Sequence, residues 1–280
     1  MPYANLLVHV QDDDDSDARV RLAISLARQF GASLTGVAAA KVEPLVSRPF
    51  VLGHVTAGCD LAMDELEFIE SGLRTAEARF RKLLASARMR GAWHSRLDLP
   101  SNAVCLYAMT ADLVLVGRRA EARLHAPQAA FDPADVIMKA GRPVLVVPPG
   151  TEQFSGARIV VAWKNTREAR RAIGDALPFL QAASQVSIIE FARRQDMLSA
   201  QEQVQAVAEY LRSHGVPATG EAVPYRRGTT AEQLILFCER NNADLIVAGA
   251  YGHTWLHEWI FGGVTQVLLE RCPVCCLMSH

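Results

Sequence analysis

The sequence predicts an α/β protein of two similar halves, each a doubly wound, five-stranded parallel sheet covered by helices. Three observations predict it. Short apolar runs alternate with segments of helical spacing along the chain. These runs are continuously apolar, as strands covered on both faces are. The order also repeats: Ala111-Asp112-Leu113-Val114-Leu115-Val116-Gly117 returns as Ala243-Asp244-Leu245-Ile246-Val247-Ala248-Gly249, 132 residues further on.

The elements follow in order. Leu6 to Val10 reads as the first strand. Ser16 to Phe30 reads as a helix with apolar positions at Val20, Ala23, Ile24 and Ala27, ended by Gly31. Leu34 to Val37 is the next strand. The second half repeats this with a strand at Arg158 to Trp163, a helix from Thr166 to Leu180 and a strand at Val186 to Ile189. Thr166 is the expected N-cap and Glu168 lies in the first turn. A Pro-Val strand closes each half, at Pro143 to Pro148 and at Pro273 to Met278. The polar, breaker-rich stretch Pro148 to Gly156 is the expected linker, which divides the chain into domains 1–149 and 157–280. Parallel strands require right-handed crossovers. Residues 41–60 have no counterpart in the second half and read either as a lid or partner-contact loop or as a plain surface insertion.

A chain of 280 residues is long enough for two cores of ordinary size. The net charge of −1 gives no general attraction to nucleic acid or anionic membranes. The basic group Arg79, Arg81, Lys82, Arg88 and Arg90 reads as a solvated helix face rather than a binding patch. The N-terminus lacks the pattern of a secretory signal, and no apolar run approaches the roughly 20 residues that span a bilayer. A cytoplasmic protein is therefore expected, with its six cysteines as thiols.

The richest chemical signal is the run from Gly249 to Thr265, between a buried strand and a helix. In open parallel sheets ligands bind beyond the carboxyl ends of the strands. Glycine lets backbone amides approach phosphate oxygens there, and a helix N-terminus presents free N–H groups. Gly262, Gly263, Val264 and Thr265 stand at such a turn, and His253 adds a donor. The spacing matches neither G-x-G-x-x-G nor a Walker A loop. On residues alone, turn-forming glycines explain it about as well as a phosphate site.

Gly249, Gly252 and Gly262, spaced Gly-x2-Gly-x9-Gly and followed by the terminal Pro-Val strand, make the chain resemble the universal stress protein family in its tandem two-domain form. The resemblance implies Rossmann-like domains of the kind shared with adenine nucleotide alpha hydrolases. It also implies a stress-response or regulatory role and ATP or a related adenine nucleotide as ligand, with or without Mg²⁺. Carried onto this sequence, the expected cofactor contacts are Ala162, Lys164, Gly249, Gly252, His253, Gly262, Gly263, Val264 and Thr265. No catalytic residue and no metal ligand is assigned, so slow ATP hydrolysis is the most activity expected. An intramolecular pseudo-dimer of the two domains and a homodimer are the expected assemblies. Two positions depart from the family pattern. Gly263 stands where Ser or Thr follows the third glycine, and Lys164 stands where an acid lies near the adenine.

The first half departs further. Gly117-Arg118-Arg119-Ala120 keeps one glycine, Gln11 takes the acid position, and no nucleotide is expected there. Cys272, Cys275 and Cys276 read as core residues rather than zinc ligands, because adjacent strand residues face opposite ways. Asp12 to Asp15 read as a solvated loop, with magnesium the less favoured alternative. Trp255 and Trp259 read as packing of one amphipathic turn ahead of a lid or subunit contact. No G-x-S-x-G elbow occurs. Two other functions stay open: a non-nucleotide interaction scaffold, motivated by Gln11, Lys164 and Gly263, and a hydrolase or nucleotidyl transferase with His253 or His257 as base.

Overall fold

The computed structural model describes residues 2–41, 55–118, 131–225, 228–251 and 263–280. The first half runs β1 (Asn5–His9), α1 (Asp14–Phe30), β2 (Ser33–Ala40), α2 (Val55–Ser86), β3 (Ala92–Leu97), α3 (Pro100–Ala108), β4 (Leu113–Gly117), α4 (Pro133–Lys139) and β5 (Val144–Val147). The second runs β6 (Arg158–Ala162), α5 (Arg167–Ala182), β7 (Gln185–Ala192), α6 (Met197–Ser213), β8 (Ala218–Pro224), α7 (Thr230–Arg240), β9 (Leu245–Gly249), α8 (Gly263–Arg271) and β10 (Cys275–Ser279). A 3₁₀ turn at Arg194–Asp196 precedes α6.

Local chemistry sets the helix ends. Asp13 caps α1, its carboxylate accepting from the Ser16 N–H at 2.6 Å. Gly31 ends α1 with φ of 66°, the left-handed conformation that glycine adopts without strain. Thr166 caps α5 through the Ala169 N–H, as its sequence position predicts. Thr229 and Glu232 cap α7 reciprocally.

Each half is a parallel five-stranded sheet, and the two join edge to edge. The strand order is β3-β2-β1-β4-β5-β10-β9-β6-β7-β8. The junction is antiparallel, with Leu145 opposite Leu277. The halves therefore point their strand carboxyl ends in opposite directions. In register, Val144 matches Cys276 rather than Val274, because Val114 pairs Val144 and Ile246 pairs Cys276. The repeated Pro-Val dipeptides are thus offset by two residues in space, and the strand predicted from Pro273 begins at Cys275.

The core runs across the junction. On one face a single apolar cluster takes in Leu6, Val8, Leu115 and Phe80 together with Ile159, Phe179, Val186 and Leu277. Tyr3, Phe30 and Phe179 pack ring against ring at 5.1 to 5.5 Å. The Tyr3 hydroxyl donates to the Asp175 carbonyl at 2.6 Å, also between halves. The linker joins this packing, since Phe154 rests on Phe179. A second cluster fills the opposite face, around Val114, Val146, Ile246 and Met278.

Candidate functional site

In the second half the strand order reverses between β9 and β6, and in open parallel sheets the crevice at the carboxyl ends of such strands is the candidate place for a ligand. Ala162 ends β6 there, half-buried. The Trp163 N–H extends the ladder by donating to the Ile189 carbonyl at 2.8 Å. Lys164 is exposed, and its carbonyl accepts from the Thr166 N–H as the chain turns into α5. Gly249 ends β9. A Cβ at Gly249 would collide with the backbone of Glu168 and Ala169, so this glycine lets the first turn of α5 close onto the strand end. The sequence reading, in which the glycine clears a path for phosphates, did not include this packing role. Beyond Ala250, Tyr251 takes φ of 58°, a left-handed conformation costly for a side chain of its size.

The far side of the crevice is the start of α8. Gly263 opens the helix, exposed, and among the described residues nothing lies near the place a Cβ would take. Val264 is half-buried and Thr265 is buried. The first N–H groups of a helix lack partners within it and favour an anion. The predicted contacts Gly252, His253 and Gly262 lie outside the described residues, as do Trp255, His257 and Trp259. So does most of the 41–60 insertion; its described end enters α2.

Two polar side chains at this edge escaped the sequence reading. The Nε1 of Trp163 and the Oε2 of Glu190 are buried and, among the described residues, have no hydrogen-bond partner. Burial pushes the Glu190 carboxyl up, and the nearby Lys164 cation opposes that shift. The available signal was a single charge in the otherwise uncharged run from Val186 to Phe191.

The first half shows what has replaced the site there. Leu6 pairs Leu113 as Ile159 pairs Leu245, so His9 stands at the place of Ala162 and Gln11 at that of Lys164. The N-caps Asp13 and Thr166 keep the alignment, which sets Arg19 opposite Ala172. His9 is 1% exposed and stacks on Phe131 with ring centroids 4.1 Å apart. Arg19 is 4% exposed. Its Nε donates to the His9 carbonyl and its Nη2 to Ser16 Oγ, both at 2.9 Å. Burial pushes its pKa down to about 10 although Asp13 and Asp15 act the other way. Arg118 reaches across the junction, its Nη1 donating to the Cys272 carbonyl. The chain's own side chains thus occupy the first-half strand ends.

Asp12, Asp14 and Asp15 are exposed, as are Arg81 and Lys82, in line with the sequence reading, but the sequence did not show that Arg79, partly buried, engages the acidic run. Arg79 pairs with Asp12, Asp14 and Asp17, at 3.3, 2.6 and 3.0 Å, and so ties α2 to the start of α1. The hydrogen bonds it donates to Asp17 and then Asp14 hold its pKa above the ordinary arginine value. Cys275 and Cys276 face opposite sides of the sheet, each in a different apolar cluster. Among the described residues no three His, Cys, Asp or Glu side chains converge in a way that would hold a metal ion. Among them, too, no helix is long and apolar enough to cross a membrane.

Fold and site together define a class: a tandem of two doubly wound α/β halves fused through their last strands, with the candidate ligand crevice on the second half. The model of the universal stress protein family matches the second half of the chain, residues 157–280. A universal stress protein from Archaeoglobus fulgidus DSM 4304 shares the fold over 98% of this chain and 97% of its own, with a TM-score of 0.66 at 13% identity. A putative universal stress protein from Pseudomonas aeruginosa UCBPP-PA14 does so over 99% and 93%, with a TM-score of 0.59 at 16% identity. No curated protein matches the chain. At these identities the likeness is one of fold, and it extends the tandem architecture to the first half.

Proposed function

We propose that domain 157–280 binds an adenine nucleotide, ATP or a close relative, in a cytoplasmic regulatory or stress-response role, while domain 1–149 serves as its structural partner. The observation that carries this reading is the contrast between equivalent strand ends. Ala162 offers a half-buried methyl group where the first half has His9 stacked under Phe131. Opposite it, the start of α8 combines the exposed Gly263 with the Thr265 hydroxyl at a helix N-terminus, where backbone N–H groups favour an anion. The phosphates belong at that helix start, near Gly262 to Thr265 and His253. The base belongs toward Ala162 and Lys164, across the end of β6. A bound Mg²⁺ would then be held chiefly by the phosphates. The most activity we propose is slow hydrolysis of the nucleotide.

Isothermal titration of the purified chain with ATP and magnesium is the direct test. Binding that Gly262→Val abolishes, in a protein that still melts cooperatively, is the expected result. No binding at millimolar nucleotide overturns the reading. Sedimentation equilibrium tests the accompanying expectation of a homodimer.

A second reading, a scaffold acting through partner contacts, draws on the exposed cation Lys164 and on Gly263 in place of a hydroxyl residue. Chain that carries no nucleotide after denaturation, analysed by mass spectrometry, but that isolates with a stoichiometric protein partner would favour it.

A further inference from the structure

We propose that Glu190 reads the base of the bound nucleotide, with Trp163 as companion donor, and that this pair replaces the acid missing at Lys164. The inference rests on the nucleotide reading above and adds to it the residue that sets base preference.

The argument begins with register. Ala162 pairs Ile189, and the Trp163 N–H continues the ladder to the Ile189 carbonyl. Trp163 and Glu190 are therefore neighbours across β6 and β7, one step from the strand ends. In-register neighbours on parallel strands point to the same face, and alternate residues of one strand do too. Glu190 thus lies on the face of Ile188, where Trp163 also packs. Each of these neighbouring residues carries a buried polar atom, an acceptor at Glu190 Oε2 and a donor at Trp163 Nε1, and among the described residues neither atom has a hydrogen-bond partner. Buried groups left this way are costly, and native proteins rarely keep them without a water or ligand to complete them.

The chemistry of the pair names the ligand edge. The adenine edge carries an exocyclic amino donor beside a ring nitrogen acceptor. A carboxylate oxygen accepts from the first, and an indole N–H donates to the second. Burial pushes the Glu190 carboxyl up, and Lys164, adjacent to Trp163 in sequence, supplies a positive field that opposes this shift. The cation at the family's acid position then has a role beside a carboxylate displaced to the next strand. The pair sits on the α5 side of the crest and the start of α8 on the other, so one nucleotide reaching over the strand ends would meet both.

The test is a double cycle of ligand and residue. Wild-type chain is titrated with ATP and with purine riboside 5′-triphosphate, which lacks the amino group and keeps the ring nitrogen. The expected preference for ATP is about 10- to 100-fold, the range for a hydrogen bond to a charged group. Glu190→Ala is expected to bind both alike, and Glu190→Gln, which keeps one acceptor oxygen, to retain part of the preference. Thermal melts confirm that each variant is folded. Should Glu190→Ala keep the full preference, or should the wild type bind GTP as tightly as ATP, this assignment is overturned while the nucleotide reading survives. If the wild type binds no nucleotide, both are overturned.

Discussion

The guanidinium of Arg19 lies against Gly117 so closely that a Cβ on the glycine would stand 2.5 Å from Nη1. The glycine that ends β4 makes room for a buried cation, while its counterpart Gly249 makes room for the backbone of α5. The same residue type at equivalent strand ends thus admits different neighbours. Removing the cation takes the guanidinium donor from the His9 carbonyl, leaves Ser16 Oγ with the Gln11 N–H alone, and opens a cavity. Arg19→Ala is expected to cost about 2–4 kcal/mol in urea unfolding. Arg19→Met, which refills part of the volume, is expected to cost less. Equal losses would show that packing contributes little at this position.

His9 predicts a pH dependence. Burial, and then the charge of Arg19, holds its imidazole well below the usual histidine pKa, so the folded protein keeps it neutral. The unfolded chain takes up a proton near pH 6.5. Unfolding therefore binds a proton as the pH falls. The stability linked to His9 is complete above about pH 6.5 and declines below it, with a slope approaching about 1.4 kcal/mol per pH unit. His9→Leu is expected to flatten that part of the profile between pH 7 and 5.5. Parallel profiles for variant and wild type would refute it.

Arg79 balances three aspartates at the start of α1, and its side chain is 29% exposed. Exposed pairs contribute modestly, so Arg79→Ala is expected to lower stability by about 1 kcal/mol. The loss should shrink when salt is raised to about 0.5 M, because screening already weakens the pairs in the wild type. A salt-independent loss would point to packing of the arginine stem instead.

The two glycines bracketing the second-half crevice should answer differently to the same substitution. Gly249→Ala drives a methyl group into the first turn of α5 and is expected to destabilise by about 1–3 kcal/mol, displacing Thr166 and weakening nucleotide binding. Gly263→Ala meets open space at the first helical residue and should leave the melting temperature nearly unchanged. Comparable melting losses in both would contradict the packing assigned to Gly249.

Much of the fold was legible in the chain. Continuous apolar strands, helical spacing in α1 and α5, the Thr166 cap and the Gly31 stop are local consequences of side-chain size and backbone freedom. The repeat around Ala111 and Ala243 exposed the tandem order. The first half was recognisable as altered from Gln11 and its missing glycines, but not the means, because Arg19 and His9 are ten residues apart in sequence and meet only when α1 folds back over β1. Arg79 and Asp17 are farther apart still, and each alone looked like an ordinary surface charge.

The sequence by itself determined the α/β class, the two halves and the segment from Gly249 to Thr265 as the place to look for a ligand. These rest on periodicity and on glycine's freedom, which are properties of neighbours along the chain. Only the tertiary structure decided that the halves share one sheet through Leu145 and Leu277, that Arg79 ties down the acidic run, and that Glu190 and Trp163 stand together with unmet hydrogen bonds. Those outcomes depend on strand register and on which side chains lose water together, and register is settled by packing between segments distant in sequence.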